Sequence, residues 1–170
     1  MKYTAASMGR VFVLRLEDGD ILNETLETFA MEKGIESALA FYVGGVADGS
    51  RIVVGPDERN ASQTTPLVHS LSGSQEGFAL GTLFPNSEGR PVLHMHSASG
   101  REGGATVGCT RAGLATWLIG EVVLIEITEA AARREVDPAT GFELLTVPPT
   151  DGLDDASARG GQHERQHHDQ

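Results

Sequence analysis

What most constrains this chain is the order of its patterned runs. Strand-like segments follow one another along the sequence, and one stretch with helical period is set after the first of them. Residues 9–16 (GRVFVLRL) are β-branched and aromatic, the composition of a strand. Glu17-Asp18-Gly19-Asp20 then makes a turn, and Ile21, Leu22, Leu26, Phe29 and Ala30 recur at helical spacing up to Gly34. This predicts a helix at about 20–33, with Asp20 as N-cap, Gly34 as stop and one apolar face on a sheet. Further strands are expected at 35–46, 51–54, 67–71, 78–84, 92–98, 105–110, 121–127 and 142–147. Asp48-Gly49 reads as a hairpin turn, 100–104 as a glycine-rich loop, 111–117 as a turn or short helix, and 130–134 as a further helical turn. Strands that cluster instead of alternating with helices predict an α+β domain. Its largely antiparallel, twisted sheet has about seven strands, with one main helix after the first.

The 170 residues suit a single domain. From Pro148 the composition turns to Asp, Gly, Ser, Gln and His, so the folded domain is expected over 1–149 and a disordered, acidic, His-containing tail over 150–170. No apolar run approaches the ~18 residues of a membrane helix. The N-terminal MKYTAASMGR lacks a signal-peptide core. The lone cysteine, Cys109, excludes an intrachain disulfide. The expected location is therefore cytoplasmic, with no membrane partner. Net charge is −11, of which the tail carries −3. Affinity for DNA comes largely from Lys and Arg displacing counterions, so this balance disfavours DNA as a partner.

Chemistry concentrates in RPVLHMHSAS. Strand alternation puts Val92, His94, His96 and Ala98 on one face and Leu93, Met95 and Ser97 on the other. Residues two apart on a strand are about 6.5–7 Å apart, so the two imidazoles can converge on one ion. The spacing leaves open whether they are ligands or two polar residues on a solvated face. A chain turning back after 100–104 would bring Cys109 to the histidines. Two His and one Cys with an open position is a catalytic zinc pattern, whereas Cys109 alone reads as a small buried hydrophobe. Arg111, two residues beyond, can face the same way and bind a carboxylate bidentately. Glu76 is a candidate base for a metal-bound water, Arg101 a cation in the adjacent loop, and Glu121 an outer partner for a ligand histidine. Each is more simply readable as a surface charge. His69, Thr82 and Trp117 read as packing residues.

The segments RLEDGDILNETLETFAMEKGI, FYVGGVADG, ALGTLFPNSEGRPVLHMHSASGR and GCTRAG before WLIGEVVLIEI resemble the PPC (plant and prokaryote conserved) domain family, in order, over roughly 8–148. That resemblance implies a compact α/β domain that assembles as a homotrimer. It also implies, in some members, a metal site with two ligands from the His-X-His strand and a third after the glycine-rich loop. The third is often a histidine in Gly-Gly-His; here Val107-Gly108-Cys109 stands there, so the ligand role falls on Cys109. The implied cofactor is zinc or another divalent transition metal. Arg111 beside such an ion would anchor a small anionic molecule, at a subunit boundary if the chain assembles. Fold and His-X-His pattern are also similar to acetolactate decarboxylase, a zinc enzyme, although the rest of that active site is not evident. Bacterial PPC members often carry a DNA-binding label, and plant members add a basic AT-hook. Gly89-Arg90-Pro91 follows Glu88, lacks flanking cations and is discounted as such a hook. The remaining alternative is an oligomeric scaffold with a structural metal. His163-Glu164-Arg165-Gln166-His167 spells HExxH without the helix and pocket that motif requires, and Asn60-Ala61-Ser62 is a glycosylation sequon without consequence in a cytoplasmic chain.

Overall fold

The computed structural model describes residues 1–57 and 65–148. The C-terminal tail, with its HExxH, and the Asn60 sequon lie outside the described residues. Ser7–Glu17 is β1 and Leu22–Lys33 is α1. The other strands are Ala38–Val46 (β2), Arg51–Pro56 (β3), Pro66–Ser70 (β4), Gln75–Pro85 (β5), Pro91–Arg101 (β6), Gly104–Cys109 (β7), Thr116–Thr128 (β8), Arg133–Val136 (β9) and Glu143–Thr146 (β10). Eight strands form one antiparallel sheet in the order β1-β8-β2-β5-β6-β7-β3-β4, and β9 and β10 form a separate two-stranded ribbon. The α+β expectation, with one helix after the first strand, is met.

The core lies between the inner face of the sheet and α1. Leu22, Leu26 and Ala30 supply the helix side, and Leu16, Ala40, Leu83, Met95, Val122 and Leu124 the sheet side. The helix ends at Gly34 in the left-handed region (φ 62), a conformation open to glycine without steric cost. At the other end Ile21 occupies the N-cap with no side-chain cap. Asp20, expected there, instead accepts the Glu17 N–H at 2.8 Å and closes the preceding turn.

Three local expectations are corrected, and the turn or short helix expected at 111–117 is located. Asp48-Gly49 turns the chain but makes no hairpin, because β2 pairs with β5 and β8 while β3 pairs with β4 and β7. The glycine-rich loop is only a tight turn, with Glu102 (φ 53) and Gly103 (φ 81) both left-handed between the paired Arg101 and Gly104, as in a type I′ hairpin. The stretch 111–117 holds only a 3-10 turn, Thr110–Ala112, before β8 begins. Residues 130–134 form no helical turn. Arg133 to Val136 pairs with Glu143 to Thr146 instead, a hairpin whose pairing overrides local propensity.

Candidate metal centre

Strand alternation in β6 divides its side chains as expected: Leu93, Met95, Ser97 and Ser99 are buried against the core, and His94 and His96 stand on the opposite, open face. Cross-strand register then selects their neighbours. His94 lies opposite Thr82, and His96 lies between Leu80 on β5 and Cys109 on β7. The close approach of β6 to β5 needs Gly81, since a Cβ there would come 2.5 Å from Met95 Cβ. Gly108 likewise lets β7 lie against the Val53 carbonyl of β3, which an added Cβ would meet at 2.7 Å.

The Nε2 atoms of His94 and His96 are 3.1 Å apart, with the rings nearly perpendicular. One donor atom from each of His94, His96 and Cys109 falls within 4.8 Å of the others. Bond lengths of about 2.0–2.3 Å in a tetrahedron require donor separations of roughly 3.3–3.7 Å. Small side-chain movements reach that geometry, so the residues present fit a zinc-like ion. Although the imidazole edges open to solvent, the surrounding walls partly desolvate the rings. That desolvation, with the positive fields of Arg134 and Arg111, lowers the pKa of His94. Desolvation, His94 and Arg111 lower that of His96. Both effects favour the neutral imidazole that a metal binds.

β7 stops at Cys109, so the next part of the β6 edge, at Leu93, has no strand beside it. Side chains of α1 cover it instead: Asn23 Nδ2 donates to Leu93 O at 3.0 Å, and the Leu93 N–H donates to Glu27 at 2.8 Å. Burial pushes the Glu27 carboxyl above its ordinary pKa. The Thr110 hydroxyl, 2.6 Å from Asn23 Oδ1 and 3.2 Å from Met95 O, ties the chain after Cys109 to the same helix. The β9-β10 ribbon walls the other side. Its Arg134 donates to Val92 O (3.2 Å), Thr82 O (3.0 Å) and Thr82 Oγ1 (3.2 Å).

Two hollows flank the donors. One, about 360 Å³, is lined by His96, Val53, Pro56 and Val107; the other, about 350 Å³, by His94, Asn23, Glu27, Arg134 and Glu143. Cys109, Arg111 and Phe142 border both. The Arg111 guanidinium lies over the Phe142 ring at 5.7 Å. Each volume is within the range that takes a small organic molecule.

Of the residues singled out from sequence, His94, His96, Cys109 and Arg111 come together. Glu76 does not join them: it faces Gly100, four residues along β6 from His96, roughly 13 Å at strand spacing. Arg101 is one residue further, tied to Ser74 O and Glu102. Glu121 sits on β8 opposite Arg15 and Val43, three strands from β6, roughly 14 Å away. Thr82, read as packing, serves as an acceptor for Arg134. Glu27 and Arg134 were not singled out. Their places depend on where β7 ends and where the ribbon folds, which no local pattern records.

Known proteins resemble this chain in sequence and in fold. A Synechococcus sp. (strain JA-3-3Ab) protein, bifunctional protein GlmU, is 33% identical over 140 residues, covering 81% of this chain and 20% of that protein. The chain thus spans about a fifth of the length of the curated relatives it matches. A solved metal-containing protein of Archaeoglobus fulgidus is 25% identical, with a TM-score of 0.74 over 86% of this chain and 99% of its own. A structure from Ralstonia eutropha JMP134, described as a candidate DNA-binding protein, is 21% identical with a TM-score of 0.63, covering 80% of this chain and 90% of its own; that likeness is one of fold. The model of the Plants and Prokaryotes Conserved (PCC) domain matches residues 3–128, and the chain belongs to that family.

Proposed function

We propose that this protein is a metal-dependent domain that binds or transforms a small anionic molecule. His94, His96 and Cys109 hold one zinc-like divalent ion, and Arg111 anchors the anion beside it. The convergence of three donor atoms within 4.8 Å carries the reading, and the metal-containing relative from Archaeoglobus supports it. Such an ion, when bound, polarises a carbonyl or activates water. Three donors among the described residues leave a coordination position for an exogenous group, which favours this role over a closed structural site of four protein ligands. Arg111, on the 3-10 turn directly after Cys109 and bordering both hollows, presents a planar guanidinium suited to a carboxylate or phosphate.

The same reading includes assembly as a homotrimer through the open face of the sheet. One transverse row there runs Val13, Val123, Phe41, Leu80, His96, Cys109. Its apolar members are exposed in the single chain, as surfaces awaiting a partner are. The metal donors would then lie at a subunit boundary. The DNA-binding alternative has a likeness of fold behind it, but the net charge of −11 opposes it. Salt-sensitive gel shifts at physiological ionic strength would reinstate it.

Metal analysis tests the central claim. The full chain, with tail residues His163, His167 and His168 changed to Ala to remove adventitious binding, is expected to purify with stoichiometric divalent metal. His94→Ala and His96→Ala should each lose it. Unchanged metal content in both variants overturns the assignment.

A further inference from the structure

Arg134 is 4% exposed, yet among the described residues it forms no ion pair. Its Nε and Nη2 donate to two backbone carbonyls and a hydroxyl, all neutral. The other charged side chain in the buried set, Glu126, is matched by Arg10 at 2.6 Å. Glu143 and Glu27 face Arg134 electrostatically but stand beyond ion-pair distance. A buried charge without a contacting counter-charge is costly, and this one borders the 350 Å³ hollow beside His94.

That hollow is chemically mixed. Arg134, Arg111 and His94 line it together with Asn23, Glu24, Glu27 and Glu143. The first group suits an anion. The second offers oxygen acceptors and repels a multiply charged anion, which argues against a phosphate dianion and for a single negative charge with a hydrogen-bond donor attached. We infer that the hollow takes a small monocarboxylic acid bearing a hydroxyl or ammonium group, its carboxylate on Arg134 and Arg111 and its donor group on the acids of α1 and the ribbon. The inference rests on the hollow being the anion site proposed above, and it names the ligand class. Arg134, Phe142 and Glu143 all lie beyond the stretch matched by the family model, residues 3–128. Specificity would therefore be set by the C-terminal ribbon, on a metal site held by the shared domain.

The test uses the full chain as purified, with glycerate and serine as probes. Propionate, which lacks the donor group, and glyceramide, which lacks the charge, are the comparisons. Calorimetry and thermal shift should give saturable binding of glycerate or serine, at least about tenfold tighter than either comparison compound. Arg134→Gln should weaken probe binding by at least about tenfold while metal content stays at the wild-type level. Arg134→Lys, which keeps the charge and loses the planar fork, should fall between them, and it serves as the variant if Arg134→Gln loosens the ribbon. A purely structural Arg134 would change the melting temperature equally with and without probe; the proposal requires the probe-dependent increment itself to shrink. Wild-type probe binding in both variants, or no saturable binding of either probe to the wild type, overturns it. Glycerate binding through Arg134 by a chain that purifies without metal would sink the metal assignment and leave this one standing. Full metal content with no probe binding would do the reverse.

Discussion

A cysteine at position 109 offers a soft sulfur donor beside a pair of imidazoles, a combination suited to zinc over harder cations. Cys109→Ser keeps the size and removes the soft donor. Its affinity for zinc, measured by competition with a chromogenic chelator, should drop at least about tenfold, the scale on which even outer partners of a ligand count. Cys109→His should retain most of it. An unaltered affinity in Cys109→Ser would take the residue out of the ligand set. At this scale the sequence is partly readable. Alternation along RPVLHMHSAS places His94 and His96 on one face, and the structure keeps them there. Arg134 was not readable, because an arginine in RREVDP looks like any surface cation until a ribbon folds it over Thr82 and Val92.

Elements with a strong internal pattern were legible and those defined by their partners were not. The helix over Leu22–Lys33 and the central β8 follow from spacing and β-branched content. The pairing of β3 with β7 follows from contacts far apart in sequence, to which local propensity is blind. One such contact joins β1 to β8 where their register slips between Met8 and Val11. There Glu126 accepts the Arg10 backbone N–H at 3.0 Å, its Nε at 2.8 Å and its Nη2 at 2.6 Å. These bonds hold the Glu126 carboxyl at a pKa of about 2, against an ordinary 4.5. A carboxyl whose pKa is lowered by folding stabilises the fold above the ordinary value and loses that contribution as pH falls toward the folded one. Urea midpoints of the wild type should thus decline between roughly pH 4.5 and 2, and those of Glu126→Gln should decline less over the same window. Parallel declines would assign the acid sensitivity to other carboxyls.

For the whole molecule, the proposed assembly rests on the open face of the sheet. Phe78 is 65% exposed and Leu80 52%, with Phe41 and Val43 beside them on β2. Light scattering is expected to give a trimeric mass for the wild type. Phe41→Asp or Leu80→Asp, each placing a charge in the patch, should shift it to monomer while leaving the circular dichroism of the fold intact. A monomeric wild type would refute the proposed assembly.

The transverse row ending at His96 and Cys109 also bears on how the chain finds its pairing. Side chains on a strand alternate with a period of two, so a slip of β6 by one residue against β5 or β7 would turn both imidazoles inward and Met95 outward. Only the native alignment presents His94, His96 and Cys109 to the same point. An ion that required all three would therefore act as a proofreader of the sheet. Refolding with metal present would penalise each misaligned ladder, and a chain already holding its ion carries a record of correct alignment.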